Sequence, residues 1–140
     1  MAQFSIQESP ITNELTTLID DGFRQHGKEA TGYDSPIDRV AFVAKDKDTF
    51  VGAVTAHVLW GTLHIRHMFI ETKYRRQGLG KLLMEKALEF GKARGCSVAF
   101  VDTMSFQALG FYQRLGFVHE FTRTGFAQNS VLYYLKKELS

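Results

Sequence analysis

The sequence predicts an α/β protein built as one domain around a mixed, mostly antiparallel sheet. Its 140 residues match the usual size of one domain, and a hydrophobic content of 44% is enough for a core. Segments in which apolar and polar residues alternate are interspersed with segments in which apolar residues recur at helical spacing. No repeat, low-complexity tract or long linker interrupts them, so we expect residues 1–140 to form a single domain.

The amino-terminal region predicts a strand, a helix and a polar loop. The alternating segment F-S-I-Q-E, residues 4–8, predicts a short first strand. Apolar residues recur at helical spacing through residues 11–26, and the run stops at Gly27, which predicts a helix that ends there. Residues 27–39 are polar, so we expect a loop or a short helix.

Three strands in succession are predicted next, and the short turns between them indicate an antiparallel arrangement. Their segments are residues 40–44, 50–60 and 63–71. The polar cluster K-D-K-D-T separates the first two strands, and a tight turn at Trp60 and Gly61 separates the second from the third.

Helices and strands alternate in the remaining half of the chain. Apolar side chains recur at helical spacing through residues 79–94, and Gly95 is suited to cap that helix. A buried strand, residues 97–103, precedes a short helix, residues 106–115, that ends at Gly116. Two further strands close the sheet, residues 117–123 and 130–139.

Composition argues against several classes of protein. A net charge of +2, from 17 basic and 15 acidic residues, gives no general case for a nucleic-acid partner. Cys96 is the single cysteine, so no intramolecular disulfide or cysteine-based zinc site can form, and we expect no metal. No run approaches the ~18 consecutive apolar residues of a membrane span, and the amino terminus lacks the pattern of a signal peptide. We therefore expect a cytoplasmic protein without membrane or nucleic-acid partners.

The segment T-K-Y-R-R-Q-G-L-G-K-L-L, residues 72–83, concentrates glycine and positive charge where a strand passes into a helix. The first turn of a helix has unpaired N–H groups and the positive end of the helix dipole, and both attract phosphate. Gly78 and Gly80 let a ligand approach the backbone closely, so a pyrophosphate group is the expected ligand. The spacing matches neither a P-loop nor a dinucleotide-binding turn, which needs a third glycine. Arg75, Arg76 and Lys81 add positive charge at the entrance to the helix.

The pattern Arg75-x-x-Gly78-x-Gly80 between a strand and a helix resembles the acyl-CoA binding motif of the GCN5-related N-acetyltransferase (GNAT) superfamily. Residues 108–117, A-L-G-F-Y-Q-R-L-G-F, resemble a second motif of that family, a short helix with a tyrosine before a Leu-Gly-Phe turn. The order of strands and helices is similar too, and the resemblance covers most of the chain. Residues 102–108 further resemble a bacterial subgroup that has Asp-Thr-x-Ser-Phe-Gln-Ala at this place.

The resemblance implies an acyl-CoA N-acyltransferase fold, in which two central parallel strands splay apart, here residues 63–70 and 97–103. Acetyl-CoA, the implied cosubstrate, would lie between them. The backbones of Met68 and Ile70 would pair with the pantetheine amides, and the Phe69 region would offer an N–H to the thioester oxygen. Backbone amides of residues 76–81 would hold the pyrophosphate. The implied cofactor-binding residues are Met68, Phe69, Ile70, Arg75, Arg76, Gln77, Gly78, Leu79, Gly80, Lys81, Ser105 and Tyr112.

The resemblance also implies a reaction, transfer of the acetyl group of acetyl-CoA to a primary amine of a small molecule or peptide. Tyr112 matches the family tyrosine that lies near the sulfur and can give a proton to the departing thiolate. Many relatives have an asparagine seven residues before this tyrosine, where this chain has Ser105, and a hydroxyl cannot make both hydrogen bonds of an amide. This departure leaves open a second function, a non-catalytic acyl-CoA sensor or interaction module.

His64 is the leading candidate for the general base that accepts the proton of the amine, because its reference pKa of about 6.5 suits that task. Because side chains alternate along a strand, we expect His64, Arg66 and Met68 on one face. The alternatives are Glu71, Asp102 or a water molecule.

The amine acceptor is not identified by the sequence. Arg66 disfavours a lone cationic substrate nearby, unless it binds a carboxylate on an amino-acid or peptide substrate. Three parts of the chain are expected to set the acceptor, namely residues 27–39, the Trp60 turn and residues 124–129. Relatives are often dimers, so a homodimer is compatible with the sequence.

Overall fold

The computed structural model describes residues 2–139 and confirms the predicted fold class. The chain divides into two compact units, Met1–Pro36 and Ile37–Ser140. The larger unit holds a six-stranded mixed sheet, mostly antiparallel with one parallel pair, and two α-helices. The expectation of one domain over residues 1–140 stays a prediction.

Helix α1, Asn13–Thr31, is the main element of the smaller unit. The Thr12 side chain accepts a hydrogen bond from the Leu15 N–H at 3.1 Å and so caps the first turn. The predicted end at Gly27 is wrong, because a glycine inside a helix costs only about 1 kcal/mol. The helix continues until Gly32, which is left-handed and donates its N–H to the Lys28 carbonyl at 2.8 Å.

The predicted strand at residues 4–8 is also wrong. Its apolar side chains are almost fully exposed, Phe4 to 90% and Ile6 to 99%. Alternation of apolar and polar residues is a pattern of a half-buried strand, but it forms a strand only where a neighbouring strand accepts its hydrogen bonds. The strands that pair in the sheet all lie from Asp38 onward within the described residues.

The other predicted strands are present, with ends that differ by a few residues. They are β1 Asp38–Asp46, β2 Thr49–Leu59, β3 Thr62–Ile70, β4 Val98–Met104, β5 Val118–Arg123 and β6 Leu132–Glu138. Their order in the sheet is β1-β2-β3-β4-β6-β5. Strands β3 and β4 are parallel, and every other neighbouring pair is antiparallel. The tight turn at Trp60 and Gly61 is confirmed, since both residues have the positive φ of a two-residue hairpin turn.

Helices α2, Leu79–Ala93, and α3, Leu109–Arg114, pack on one face of this sheet around a shared core. α2 agrees with the prediction. α3 begins three residues later than predicted, because the Gln107 side chain accepts the Met104 N–H at 2.9 Å and holds a turn there. The largest fully buried side chains are Leu63, Met84, Leu135 and Val54.

Strands β3 and β4 part in the middle of the sheet. Their pairing runs from Thr62 with Val98 to Ile65 with Val101 and ends there. Beyond that rung β3 stays paired with β2, and β4 stays paired with β6. A V-shaped gap therefore opens between the carboxyl halves of two strands whose other edges are held.

A β-bulge in β3 changes which side chains share a face. Ala56 of β2 pairs with Ile65, but the adjacent Thr55 pairs with His67, so Arg66 is an extra residue in β3. One extra residue shifts the alternation of side chains by one.

The expectation that His64 shares a face with Met68 is wrong for this reason. Leu63 and Ile65 are buried in the core before the bulge, whereas Met68 and Ile70 pack against the same core after it. His64, between the first two, therefore points to the opposite face of the sheet from Met68.

Candidate active site

Strand β3 presents alternate backbone groups to the gap. Glu71 donates its N–H to the Val51 carbonyl of β2 at 2.8 Å, so Phe69 also bonds toward β2 in the alternating pattern of an antiparallel pair. Met68 and Ile70 direct their N–H and C=O groups toward the gap instead. The Phe69 N–H therefore points away from the gap, in which the thioester was expected to lie. The Met68 N–H points into the gap instead.

The glycine-rich turn connects the end of β3 to α2 through a short 3₁₀ helix, Thr72–Tyr74. Gly78 lies at the N-cap of α2 with φ of 80°, a left-handed conformation that costs glycine little. Among the described residues no side chain caps this helix, so the first-turn N–H groups stay available to a ligand. The side chains of Arg75, Arg76, Gln77 and Lys81 around it are exposed.

Gly80 has a role in packing that the sequence did not indicate. A Cβ atom at this position would lie 3.2 Å from two carbon atoms of the Phe111 ring in α3. The missing side chain lets α3, which carries Tyr112, approach the first turn of α2 and the glycine-rich turn before it.

Two contacts hold the turn against the sheet. The Tyr74 hydroxyl donates to Asp46 Oδ2 at 2.6 Å, and this bond raises the pKa of Tyr74. The Arg75 Nε donates to the Ile70 carbonyl at 2.8 Å. Asp46 and Tyr74 are 28 residues apart, so no local pattern could have predicted their contact.

Gly52 of β2 lies opposite Ile70 and was also missed by sequence reasoning. A Cβ atom on Gly52 would lie 2.8 Å from the Phe69 carbonyl oxygen and 2.8 Å from the Ile70 Cδ1. Only a residue without a side chain allows β3 to run this close, so Gly52 sets the position of one wall of the gap.

Tyr112 lies on α3 with its ring buried, 7% exposed, between Phe111 and Phe117. No hydrogen bond to its hydroxyl is formed within residues 2–139, and every fully buried side-chain oxygen there has a partner, so solvent reaches this hydroxyl. Burial, with a smaller contribution from the charge of Asp102, raises the pKa of Tyr112 to about 12. Tyr112 is therefore a proton donor across the physiological range of pH.

Ser105 follows β4 and forms hydrogen bonds with the backbone of the segment before β6. Its Oγ accepts the Val131 N–H at 3.0 Å, and its own N–H donates to the Val131 carbonyl at 2.8 Å. The hydroxyl proton remains free to donate, but the oxygen serves to hold the segment before β6.

His64 is half-buried on the face of the sheet opposite α2. Its ring stacks on His57, with centroids 4.8 Å apart, and lies 5.4 Å from the Phe100 ring. Thr62 donates its hydroxyl proton to the Leu59 carbonyl at 2.6 Å. Its Oγ1 therefore has no proton left for His64 and accepts a hydrogen bond from His64 Nε2 at 2.9 Å. This assigns the proton of neutral His64 to Nε2 and leaves Nδ1 as a proton acceptor.

The environment of His64 favours the neutral ring. Burial, and then the charge of Arg66, lowers the pKa of His64 from its usual value. The two alternative bases, Glu71 and Asp102, have exposed side chains. Asp102 lies at the gap, whereas Glu71 lies at the far end of β3 beside the glycine-rich turn.

Within residues 2–139, no three His, Cys, Asp or Glu side chains form a group that could hold a metal ion. None of the helices in this part combines the length and the apolar character needed to cross a membrane. Cys96 is buried, and burial raises the pKa of its thiol.

Several curated proteins that are similar to this chain are acetyltransferases. The chain is 33% identical over 75 residues to an acetyltransferase from Agrobacterium fabrum, covering 54% of this chain and 55% of that protein. It is 32% identical over 77 residues to blasticidin-S acetyltransferase from Streptomyces morookaense, covering 54% and 57%. It is 30% identical over 111 residues to human N-acetyltransferase 8B, covering 73% and 49%. The chain thus spans about half the length of these curated relatives.

Solved structures share the fold. An acetyltransferase from Bacillus cereus superposes with a TM-score of 0.77 at 22% identity, covering 96% of this chain and 98% of that one. A Bacillus anthracis protein assigned as a streptothricin acetyltransferase, crystallised with acetyl coenzyme A, superposes with a TM-score of 0.67 at 21% identity, covering 74% and 64%. The family model described as acetyltransferase (GNAT) matches residues 12–117. The chain therefore belongs to the GNAT family of acetyltransferases.

Proposed function

We propose that this protein transfers the acetyl group of acetyl-CoA to a primary amine of a small molecule or peptide. The observation that carries the proposal is the parting of β3 and β4 after Ile65 and Val101, beside an uncapped helix N-terminus. An extended cofactor fits such a gap with its amides on a strand edge and its phosphates on the helix. GNAT acetyltransferases use acetyl-CoA, and the Bacillus anthracis relative holds it.

The cofactor is held mostly by backbone groups in this proposal. The Met68 C=O and the Ile70 N–H, which face the gap, pair with the pantetheine amides, and the Met68 N–H is left for the thioester oxygen. The N–H groups of residues 76–81 hold the pyrophosphate, and the exposed basic side chains neutralise it. Phe69 contributes through its position in β3 and not through its N–H.

The chemistry follows from the groups around the gap. A neutral amine attacks the thioester carbonyl carbon, and the Met68 N–H stabilises the oxyanion of the tetrahedral intermediate. His64 Nδ1 accepts the proton of the amine, directly or through water. The C–S bond breaks, and the Tyr112 hydroxyl donates to the departing thiolate and regains a proton from solvent.

The amine approaches from the face that carries His64. The other face beside the gap is closed, because Met68 and Ile70 pack there against the core formed with α2. The β-bulge that moved His64 away from the face of Met68 thus places it on the side of the acceptor.

We also propose that the chain belongs to the bacterial subgroup that has Asp-Thr-x-Ser-Phe-Gln-Ala before the tyrosine helix. Its polar residues hold this segment together. Gln107 accepts the Met104 N–H, and Ser105 accepts the Val131 N–H.

Release of free thiol tests the function. Mixing the protein with acetyl-CoA and a panel of primary amines should release CoA thiol with at least one amine. Thermal stabilisation by CoA without thiol release from any amine would instead support a non-catalytic acyl-CoA sensor. The hydrogen bond from the Val131 N–H to the Ser105 hydroxyl would fit such a sensor, because it gives Ser105 a structural role.

The pH profile tests His64 as the base. Since the neutral ring accepts the proton, kcat/KM should rise with pH through a limb below the ordinary histidine range, because burial and Arg66 lower the pKa of His64. His64→Gln should remove this limb and keep any limb caused by the acceptor amine. His67→Gln is the matched control, because His67 is exposed and its Nδ1 is bonded to Thr55 at 2.7 Å. A limb that survives in His64→Gln would rule out this residue.

A further inference from the structure

Opposite charges stand on the two lips of the gap. Ile65 with Val101 is the last paired rung of β3 and β4, and the next residues along the two strands are Arg66 and Asp102. Both side chains are exposed. The bulge makes Arg66 an additional residue, a feature that often re-aims a side chain next to an active site.

Neither of these charged side chains is paired with another side chain in the described part of the chain. Within residues 2–139, no hydrogen bond or ion pair joins Arg66 or Asp102 to each other or to another side chain. Other charges of the larger unit do pair, as Lys136 does with Glu138 at 3.8 Å. A cation and an anion that follow the last paired rung on facing strands and are not paired with each other can be bridged by a ligand that carries both charges.

Each of the two charges affects the pKa of a group proposed to move a proton. Arg66 acts electrostatically on His64, and Asp102 acts on Tyr112. Because Arg66 and Asp102 directly follow the last paired rung, a ligand held by both would have its centre at the closed end of the gap, beside His64 in β3.

An aromatic wall adjoins Asp102 on the same face. Asp102 pairs with Tyr134, and Tyr134 pairs with Phe121, so the three side chains point to one side of the sheet. The two rings stack with centroids 4.5 Å apart and an angle of 3° between their planes. Phe121 is 47% exposed, so part of this wall is open to an apolar side chain of a ligand.

We propose that the acceptor is an α-amino acid with an apolar or aromatic side chain. Its carboxylate binds Arg66, Asp102 draws its amine into the gap, and its side chain lies against Tyr134 and Phe121. This inference rests on the proposed acetyl transfer and narrows the acceptor to one chemical class.

Matched acceptors test the inference. L-phenylalanine, L-methionine and L-leucine are compared with their primary amides and with the amines that lack the carboxyl group. The best amino acid should exceed its amide in kcat/KM about tenfold or more, the size of a hydrogen bond to a charged group. Arg66→Gln should bring this ratio to about one, and acetyl-CoA KM should stay unchanged.

Asp102→Asn tests the second charge at the gap, and Glu89→Gln and Arg123→Gln are controls that each remove a charge elsewhere. Asp102→Asn should raise KM for amino acids and amides alike, whereas Glu89→Gln, on the exposed side of α2, should not. Arg123→Gln removes a cation 5.8 Å from both rings of the wall but away from the gap, and the preference for amino acids should persist.

Calorimetric binding of the three amino acids to the CoA-saturated protein decides the inference even without turnover. Binding that Arg66→Gln weakens about tenfold supports it. No binding of any of the three, or a ratio of amino acid to amide that Arg66→Gln leaves unchanged, overturns it. Thiol release with simple amines would then leave the acetyltransferase proposal standing, whereas absence of thiol release from every acceptor would count against that proposal alone.

Discussion

Tyr112→Phe is expected to lower kcat by about 10²–10⁴-fold, the usual contribution of a general acid. The pKa of Tyr112, raised to about 12, keeps the hydroxyl protonated, so the wild-type residue can donate at every pH at which the protein is assayed. Acetyl-CoA affinity should change little, because the proposed contacts to the cofactor are mostly backbone groups. The free energy of unfolding should also change little, since the hydroxyl has no partner in residues 2–139.

Single-turnover thiol release and acetyl-CoA binding measure the two effects separately. Tyr133→Phe is the matched control, because it removes one tyrosine hydroxyl from a ring that packs against the same core. Its kcat should stay near that of the wild type. Equal losses in the two variants, or a loss of acetyl-CoA affinity as large as the loss of kcat, would contradict the role of Tyr112 as acid.

Gly52→Ala is expected to have the second largest effect, on both stability and cofactor binding. Its new Cβ would lie 2.8 Å from the Phe69 carbonyl oxygen, and backbone cannot move aside as a flexible side chain can. Overpacking of this kind costs about 1–3 kcal/mol in the free energy of unfolding. The displaced end of β3 carries the groups proposed to bind pantetheine, so kcat/KM for acetyl-CoA should fall by up to about 10².

Two other glycines separate these effects. Gly91→Ala would bring a Cβ within 2.9 Å of the Leu63 side chain, near the paired ends of β3 and β4, so it should destabilise without weakening acetyl-CoA binding. Gly22→Ala meets no atom within 4 Å and lies in α1, where alanine stabilises a helix. Unfolding midpoints and acetyl-CoA KM for the three variants provide the comparison. Similar KM values for Gly52→Ala and Gly91→Ala would contradict the role of Gly52 in placing the wall of the gap.

Much of the fold could be predicted, and the errors have identifiable causes. Helix α2 agreed with its prediction because apolar spacing and turn glycines are properties of neighbouring residues. The alternation of apolar and polar residues at 4–8 is also a pattern of neighbouring residues. A strand needs a partner strand as well, and no local pattern reveals whether one is present. Gly27 was expected to end a helix, and the better cap at Gly32 extended it.

The sequence by itself determined the fold class, the family resemblance and the glycine-rich turn before α2, because each depends on residues close together in the chain. Only the tertiary structure decided the face on which His64 lies, the contact of Tyr74 with Asp46, and the close approach at Gly52. The cause is the same in all three cases. A bulge in β3, a side-chain contact across 28 residues and a strand separation depend on pairing between distant segments, whose energies outweigh the local alternation that sequence reasoning uses.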